Sequence, residues 1–217
     1  MGYKVVVFDL DGTLLDTLED IAHCCNKVLV TFGFRDHPVA AYSHFVGEGA
    51  RRLIEKTTGL KSTELLIDTM CSAFEELYAK EGAVCTALYE GIESMLNVLK
   101  SKGIYLAVLS NKPHVLVELC IEHYFPEDTF VKVLGECKGT PRKPAPDALL
   151  KIIDSLHVNK EDVLFVGDTK TDMQTGSNAR VDRCGVLWGF RERKELEEYG
   201  ATFVVETPEA LAERILQ

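Results

Sequence analysis

The chain lacks any apolar run near the ~18 residues that cross a bilayer, and no basic stretch followed by an apolar one opens it. Neither membrane spanning nor secretion is expected. Positive charge is in deficit: 24 Lys+Arg face 34 Asp+Glu, a formal net charge of −10. That balance argues against the broad basic face that nucleic acid requires. Seven cysteines are present, but none forms a Cys-x-x-Cys pair and the number is odd. The six histidines are scattered, without a His-x-x-x-His. The paired ligand spacing of a structural zinc site is therefore missing. Cys24, Cys120 and Cys184 stand among apolar neighbours, where a thiol behaves as a small hydrophobe. A reduced, cytoplasmic protein is expected. Internal repeats and low-complexity tracts are absent as well.

What is present is ordinary globular material, 46% hydrophobic and 27% charged over 217 residues. That length suits one large domain, or one domain carrying an insertion. Short apolar runs end in small or polar residues at Tyr3–Phe8, Ile104–Leu109 and Val163–Val166, with weaker ones at Phe130–Leu134, Gly185–Trp188 and Ala201–Val205. Runs without polar alternation describe strands buried on both faces. Helical spacing lies between them: Ile92, Met95, Leu96 and Leu99; Val115, Leu116, Leu119 and Cys120; Leu149, Ile152, Ile153 and Leu156. Thr207-Pro208 reads as an N-cap followed by Pro at the first helical position. Strand–helix alternation of this kind predicts an α/β fold, a Rossmann-like parallel sheet with helices on both faces.

Residues 15–85 break the alternation. Asp16 or Thr17, with Glu19 or Asp20 placed for a capping box, opens a helix carrying Ile21, Val28, Leu29 and Phe32 and ended by Gly33. Pro38 onward, Ala50–Thr58 and Ser62–Lys80 also read as helical, and no strand is expected there. The division that follows is an α/β core of residues 1–15 and 86–217, with a small all-helical insertion over 16–85.

Chemistry collects where strands end. Asp9-Leu10-Asp11-Gly12-Thr13 follows the first run, and strand period puts Asp9 and Asp11 on one side. Two carboxylates would converge at the carboxyl end of a buried strand, where ligands of open α/β sheets bind. Paired carboxylates push their pKa values apart, so one can be an ionised nucleophile while the other holds a proton. Asp11-Gly12 alone would read as a turn, which leaves Asp9 unexplained. Ser110-Asn111-Lys112 takes the same place after another run, where a hydroxyl and main-chain N–H groups can hold a phosphoryl oxygen. Ser-Asn is equally a common N-cap pair. Lys143 sits in Arg142-Lys143-Pro144-Ala145-Pro146, stiffened by two prolines, although a lone lysine is usually solvated surface. Gly167-Asp168-Thr169-Lys170-Thr171-Asp172 follows the third strong run. Four aspartates at one sheet edge repel one another unless a cation joins them, and hard oxygen ligands point to Mg²⁺.

In this order and spacing the elements resemble the haloacid dehalogenase-like superfamily, in particular its phosphatases with a helical cap inserted after the first strand. The likeness spans essentially the whole chain. It leans toward the phosphoglycolate phosphatases through Val46-Gly47-Glu48-Gly49 and Trp188-Gly189-Phe190. It implies that Asp9 attacks phosphorus and that Asp11 is the general acid and base. It implies that Lys143 balances charge, while Ser110, Asn111 and Leu10 hold the phosphoryl group. Asp9, the main-chain carbonyl of Asp11, Asp168 and Asp172 would bind Mg²⁺. The cap loop, with Gly47, Glu48, Gly49 and Arg51, would face the site and choose the leaving group, Arg51 pairing with a substrate carboxylate. A solvated helix residue is the competing reading of Arg51.

The expected activity is hydrolysis of a small phosphomonoester, foremost 2-phosphoglycolate, with no nucleic-acid or membrane partner. A β-phosphoglucomutase-like phosphomutase would also keep Asp11; Thr13 and Gly47-x-Gly49 favour the phosphatase by family analogy. A dehalogenase would not need Asp11. A phospho-acceptor module of the receiver type would need an open face that an insertion covers. Tyr89-Glu90-Gly91 stands where many relatives carry Pro before that glycine, and the segments near Asp16 and Glu90 are expected to bend as a gate.

Overall fold

The computed structural model describes residues 2–59 and 64–217. Its strands are β1 (Val5–Phe8), β2 (Leu15–Asp16), β3 (Ala87–Leu88), β4 (Tyr105–Pro113), β5 (Lys132–Glu136), β6 (Val163–Gly167), β7 (Asp182–Val186) and β8 (Phe203–Val205). Its helices are α1 (Leu18–Thr31), α2 (Val39–Phe45), α3 (Ala50–Thr58), α4 (Glu64–Glu81), α5 (Ile92–Ser101), α6 (His114–Tyr124), α7 (Asp147–Leu156), α8 (Lys170–Ala179), α9 (Arg193–Glu198) and α10 (Pro208–Leu216). The start of the expected helix Ser62–Lys80 lies outside the described residues.

Six strands form one parallel sheet in the order β5-β4-β1-β6-β7-β8. Its unbroken apolar strands are buried on both sides because alternate residues enter two cores. Val6, Phe8, Leu106, Val108, Leu164 and Val166 pack with α5 and α10, whereas Val5, Val7, Ala107, Leu109, Val163 and Phe165 pack with α7. Ile92, Met95, Leu96 and Leu99 are all buried in the first core. Each contributes roughly 2 kcal/mol as an upper figure. Thr207 caps α10 by accepting from the Ala210 N–H at 3.2 Å. β5 and β7 are displaced from the runs at Phe130–Leu134 and Gly185–Trp188, because ladder pairing rather than apolarity fixes where a strand ends.

Three local expectations are corrected. On α6 the buried residues are Leu116, Val117 and Cys120, while Val115 and Leu119 are exposed. The helix turns its 116/117/120 stripe inward because it is covered both by the sheet and, through Leu116, by the inserted helices. A strand does occur at the start of the 15–85 stretch: β2 pairs antiparallel with β3, Leu15 opposite Leu88 and Asp16 opposite Ala87. Two residues are too few to display a period of two. The capping box of α1 does not form, for Thr17 has N-cap position without a side-chain bond and its buried hydroxyl has no partner. Asp20 is drawn elsewhere. Its carboxylate accepts from the N–H groups of Val84 (3.1 Å), Cys85 (3.0 Å) and Thr86 (2.7 Å) and from the Thr86 hydroxyl (2.7 Å). This ties the chain's exit from the sheet to its return.

Helices α1–α4 have a core of their own, in which Leu29, Tyr42, Ile54, Met70 and Phe74 pack together with Leu116 of α6. All seven cysteines are free. No described helix is long and apolar enough to cross a membrane.

Candidate active site

The chain runs outward from β1 to β4 and β5, then crosses back to β6 on the other side of β1. The carboxyl ends of β1 and β6 therefore flank the point where strand order reverses, the usual ligand crevice of an open parallel sheet. Phe8 is in register with Val166, and the Asp9 N–H donates to the Val166 carbonyl at 2.9 Å. This register carries Asp9 alongside Asp168. Two glycines allow the close approach: a Cβ on Gly12 (φ +85°) would lie 2.5 Å from Asp168 Oδ2, and one on Gly167 2.3 Å from Asp172 Cγ. Thr169 and Asp172 form a reciprocal capping box that opens α8 and fixes Asp172 one turn in.

Asp9, Asp168 and Asp172 each present an oxygen within 4.8 Å of the others, and all three are buried. One ammonium reaches into this cluster: Lys143 Nζ lies 2.8 Å from Asp9 Oδ1 and 2.7 Å from Asp172 Oδ1. Burial raises the Asp9 pKa to about 7 against the lowering pull of Lys143, and Asp172 adds to the rise. Asp168 is pushed well above the carboxylate range by burial, then by Asp172 and Asp9. Burial opposes charge on Lys143, but Asp172 and Asp9 outweigh it and hold the ammonium charged. Three buried carboxylates against one ammonium, with hard oxygen donors only, is an arrangement that a divalent cation fits.

Asp11 takes a different partner. Its Oδ1 accepts from Lys112 Nζ at 2.6 Å, and Lys112 also donates to Tyr78 Oη at 3.0 Å. Lys112 is buried; burial opposes its charge, but the carboxylate of Asp11 and the Tyr78 ring oxygen hold its pKa well above the ordinary lysine value. Residues 110–112 lie where the β4–β5 ladder shifts register between Leu109 and Pro113, and such an irregularity re-aims side chains. The Ser110 hydroxyl accepts from the Lys112 N–H at 3.2 Å. The Leu10 N–H donates to Asp9 Oδ1 at 2.7 Å. Asn111 uses its side chain as a clamp, donating to the carbonyls of Lys143 (3.0 Å) and Gly47 (3.1 Å) and accepting from the Lys143 N–H (2.8 Å).

Above these groups lies a cavity of about 50 Å³, floored by Asp9, Asp11, Ser110 and Lys112 and walled by Ile21, Val46, Leu53, Phe74 and Tyr78 of the inserted helices. Gly47 and Gly49 also line it. Arg51 does not. It turns outward to Asp68 and lies 3.7 Å from Glu55, because α3 presents its buried Leu53 and Ile54 side to the helical core. Glu48 pairs with Lys56 at 2.8 Å and opens, with Arg52, Arg142 and Lys170, onto a second cleft that Lys143 also lines. A larger groove on the outer side of α1 and α4 shares no lining residue with the site.

Sequence reasoning missed three contributors. Lys112 stands in the Ser110-Asn111-Lys112 motif, and its charge two residues after Ser110 is the signal that marks it. Trp188 Nε1 donates to the Thr13 carbonyl at 2.8 Å, and the Phe190 N–H donates to Asp168 Oδ2 at 2.8 Å, so the Trp188-Gly189-Phe190 segment buttresses the aspartates. Arg191 reaches from the same loop to the carbonyls of Ser43 and Val46 on the inserted helices.

The chain resembles known proteins over most of its length. Residues 6–186 match the haloacid dehalogenase-like hydrolase family. A protein of Psychrobacter arcticus named phosphoglycolate phosphatase is 30% identical, over 100% of this chain and 97% of its own. One of the same name from Aquifex aeolicus is 33% identical over 86% of each chain. The crystal structure of a Lactobacillus delbrueckii subsp. bulgaricus protein, proposed to be a phosphoglycolate phosphatase, superposes with a TM-score of 0.91 over 99% of both chains at 33% identity.

Proposed function

The chain belongs to the haloacid dehalogenase-like hydrolases, and from that premise we propose a Mg²⁺-dependent phosphatase that cleaves a small phosphomonoester, best matched by 2-phosphoglycolate. The observation that carries this reading is Asp9, held 2.8 Å from Lys143 inside a buried cluster of carboxylates, on the floor of a cavity with Asp11 beside it. The relatives' names supply the substrate. In this reading residues 16–85 are the cap, and residues 1–15 with 86–217 the catalytic core.

The Asp9 carboxylate attacks phosphorus, the bond to the leaving oxygen breaks, and Asp11, ion-paired with Lys112 in the free protein, passes to the departing alkoxide a proton that it takes up from solvent as the anionic ester binds. Asp11 then takes a proton from water as that water attacks phosphorus, and the bond to Asp9 breaks to give inorganic phosphate. A carboxylate nucleophile divides one hard step into two easier ones. Lys143 offsets the charge on Asp9 and the phosphoryl oxygens; the Ser110 hydroxyl and the main-chain N–H groups of Leu10 and Asn111 hold those oxygens. Asp9, the Asp11 carbonyl, Asp168 and Asp172 would hold Mg²⁺, which when bound draws charge from the phosphoryl group. A cavity of about 50 Å³ holds only a few waters. Its size and apolar cap wall suit a leaving group of a few atoms better than a hexose. Phosphate release from 2-phosphoglycolate in Mg²⁺ but not in EDTA is the expected result. Isomerisation of a sugar phosphate without free phosphate would replace this reading with the mutase.

A further inference from the structure

Lys112 is a buried cation facing the cavity to which the steps above give no work. We propose that Lys112 binds the carboxylate of the leaving group and so selects 2-phosphoglycolate over uncharged esters of the same size; the inference rests on the substrate reading above.

Three observations lead there. First, a cavity floored by Asp9 and Asp11 and walled by apolar cap side chains repels a second anionic group unless a cation meets it, and Lys112 is the one cationic residue among the described lining residues. Arg51, which the sequence offered for that task, is engaged with Asp68 on the outer surface. Second, a lysine ammonium has three donors. Two are used, on Asp11 Oδ1 at 2.6 Å and Tyr78 Oη at 3.0 Å, and the third has no partner among the described residues. Tyr78 holds the head group further by lying with its ring centroid 4.3 Å from Nζ. Third, the chemistry of the ester matches the pairing. Asp11 serves the leaving oxygen, and in 2-phosphoglycolate one methylene separates that oxygen from the carboxylate. A cation in contact with Asp11 is therefore beside the carboxylate of the same small group.

The test compares kcat/KM for 2-phosphoglycolate and for 2-hydroxyethyl phosphate, its uncharged counterpart, in the wild type, Lys112→Met and Lys112→Arg. Loss of a partner for Asp11 slows both substrates alike and cancels from the ratio. The wild type is expected to favour the carboxylate, and Lys112→Met to cut that preference about 10- to 100-fold, mostly through KM, as befits a charge-assisted hydrogen bond. Lys112→Arg should retain part of it. If Lys112→Met does not fold, Lys112→Gln carries the same comparison. A wild type that prefers the carboxylate while the neutral variants keep the full preference overturns the assignment of Lys112 alone. A wild type without any preference overturns the substrate reading, and this inference with it.

Discussion

Replacing Asp9 should stabilise the metal-free protein. Asp9 is buried and its carboxyl is raised from 3.8 to about 7, first by burial and then by Asp172, against Lys143. In EDTA below about pH 4, Asp9 is protonated in both the folded and unfolded states and contributes nothing. As pH rises from there to about 7, the folded state keeps a proton that the unfolded state has lost, so stability falls through that window and the loss is complete above it. About three pH units at ~1.4 kcal/mol each amount to about 4 kcal/mol. About 3 kcal/mol of that falls between pH 5 and pH 8. Asp9→Asn removes the term and leaves Lys143 its bond to Asp172. The gap in Tm between Asp9→Asn and the wild type, in EDTA, should therefore widen in favour of the variant by about 6–12 °C from pH 5 to pH 8 at ~2–4 °C per kcal/mol. Saturating Mg²⁺ should reverse the order at pH 8, since binding to the folded state alone stabilises it. Thermal melts of the two proteins across this range are sufficient. Curves in EDTA that stay parallel from pH 5 to pH 8 would show that burial of Asp9 carries no such penalty.

Asp20→Ala strips the acceptor from the N–H groups of residues 84–86, and the buried Thr86 cannot turn to water. A loss of about 3 kcal/mol, seen in chemical denaturation, is expected; a loss under about 0.5 kcal/mol would show that the tie is idle. Arg191→Ala removes the donors that hold the Ser43 and Val46 carbonyls from the core side. KM should rise about 10-fold and protease should cut the inserted helices faster, and unchanged values of both would deny that this arginine holds them down.

Where the sequence was readable, the signal was local. The Ile92–Leu99 stripe, the Thr207-Pro208 cap and the aspartates at the ends of β1 and β6 follow from helical period, N-cap chemistry and charge directly after an apolar run. What stayed hidden depends on partners far along the chain. Asp20 looked like a capping residue because Thr17 precedes it by three, but groups 64 to 66 residues later compete for it and win. Lys112 finds Asp11 across 101 residues, and Arg191 finds Ser43 across 148. Arg51 has the right charge beside the right loop, but it lies in α3, and the burial of Leu53 and Ile54 on that helix sets its direction outward. Neither β2 nor β3 is long enough to show a pattern, so their pairing is a product of the fold and not of either segment.

In the proposed mechanism the phosphoryl group passes through Asp9. That step is tested most directly by acid-quenching the enzyme during a single turnover of radiolabelled 2-phosphoglycolate in Mg²⁺ and mapping the label. A hydroxylamine-sensitive label is expected on the peptide that contains Asp9, lost in Asp9→Asn along with phosphate release. Label on another residue, or undiminished phosphate release by Asp9→Asn, would contradict it.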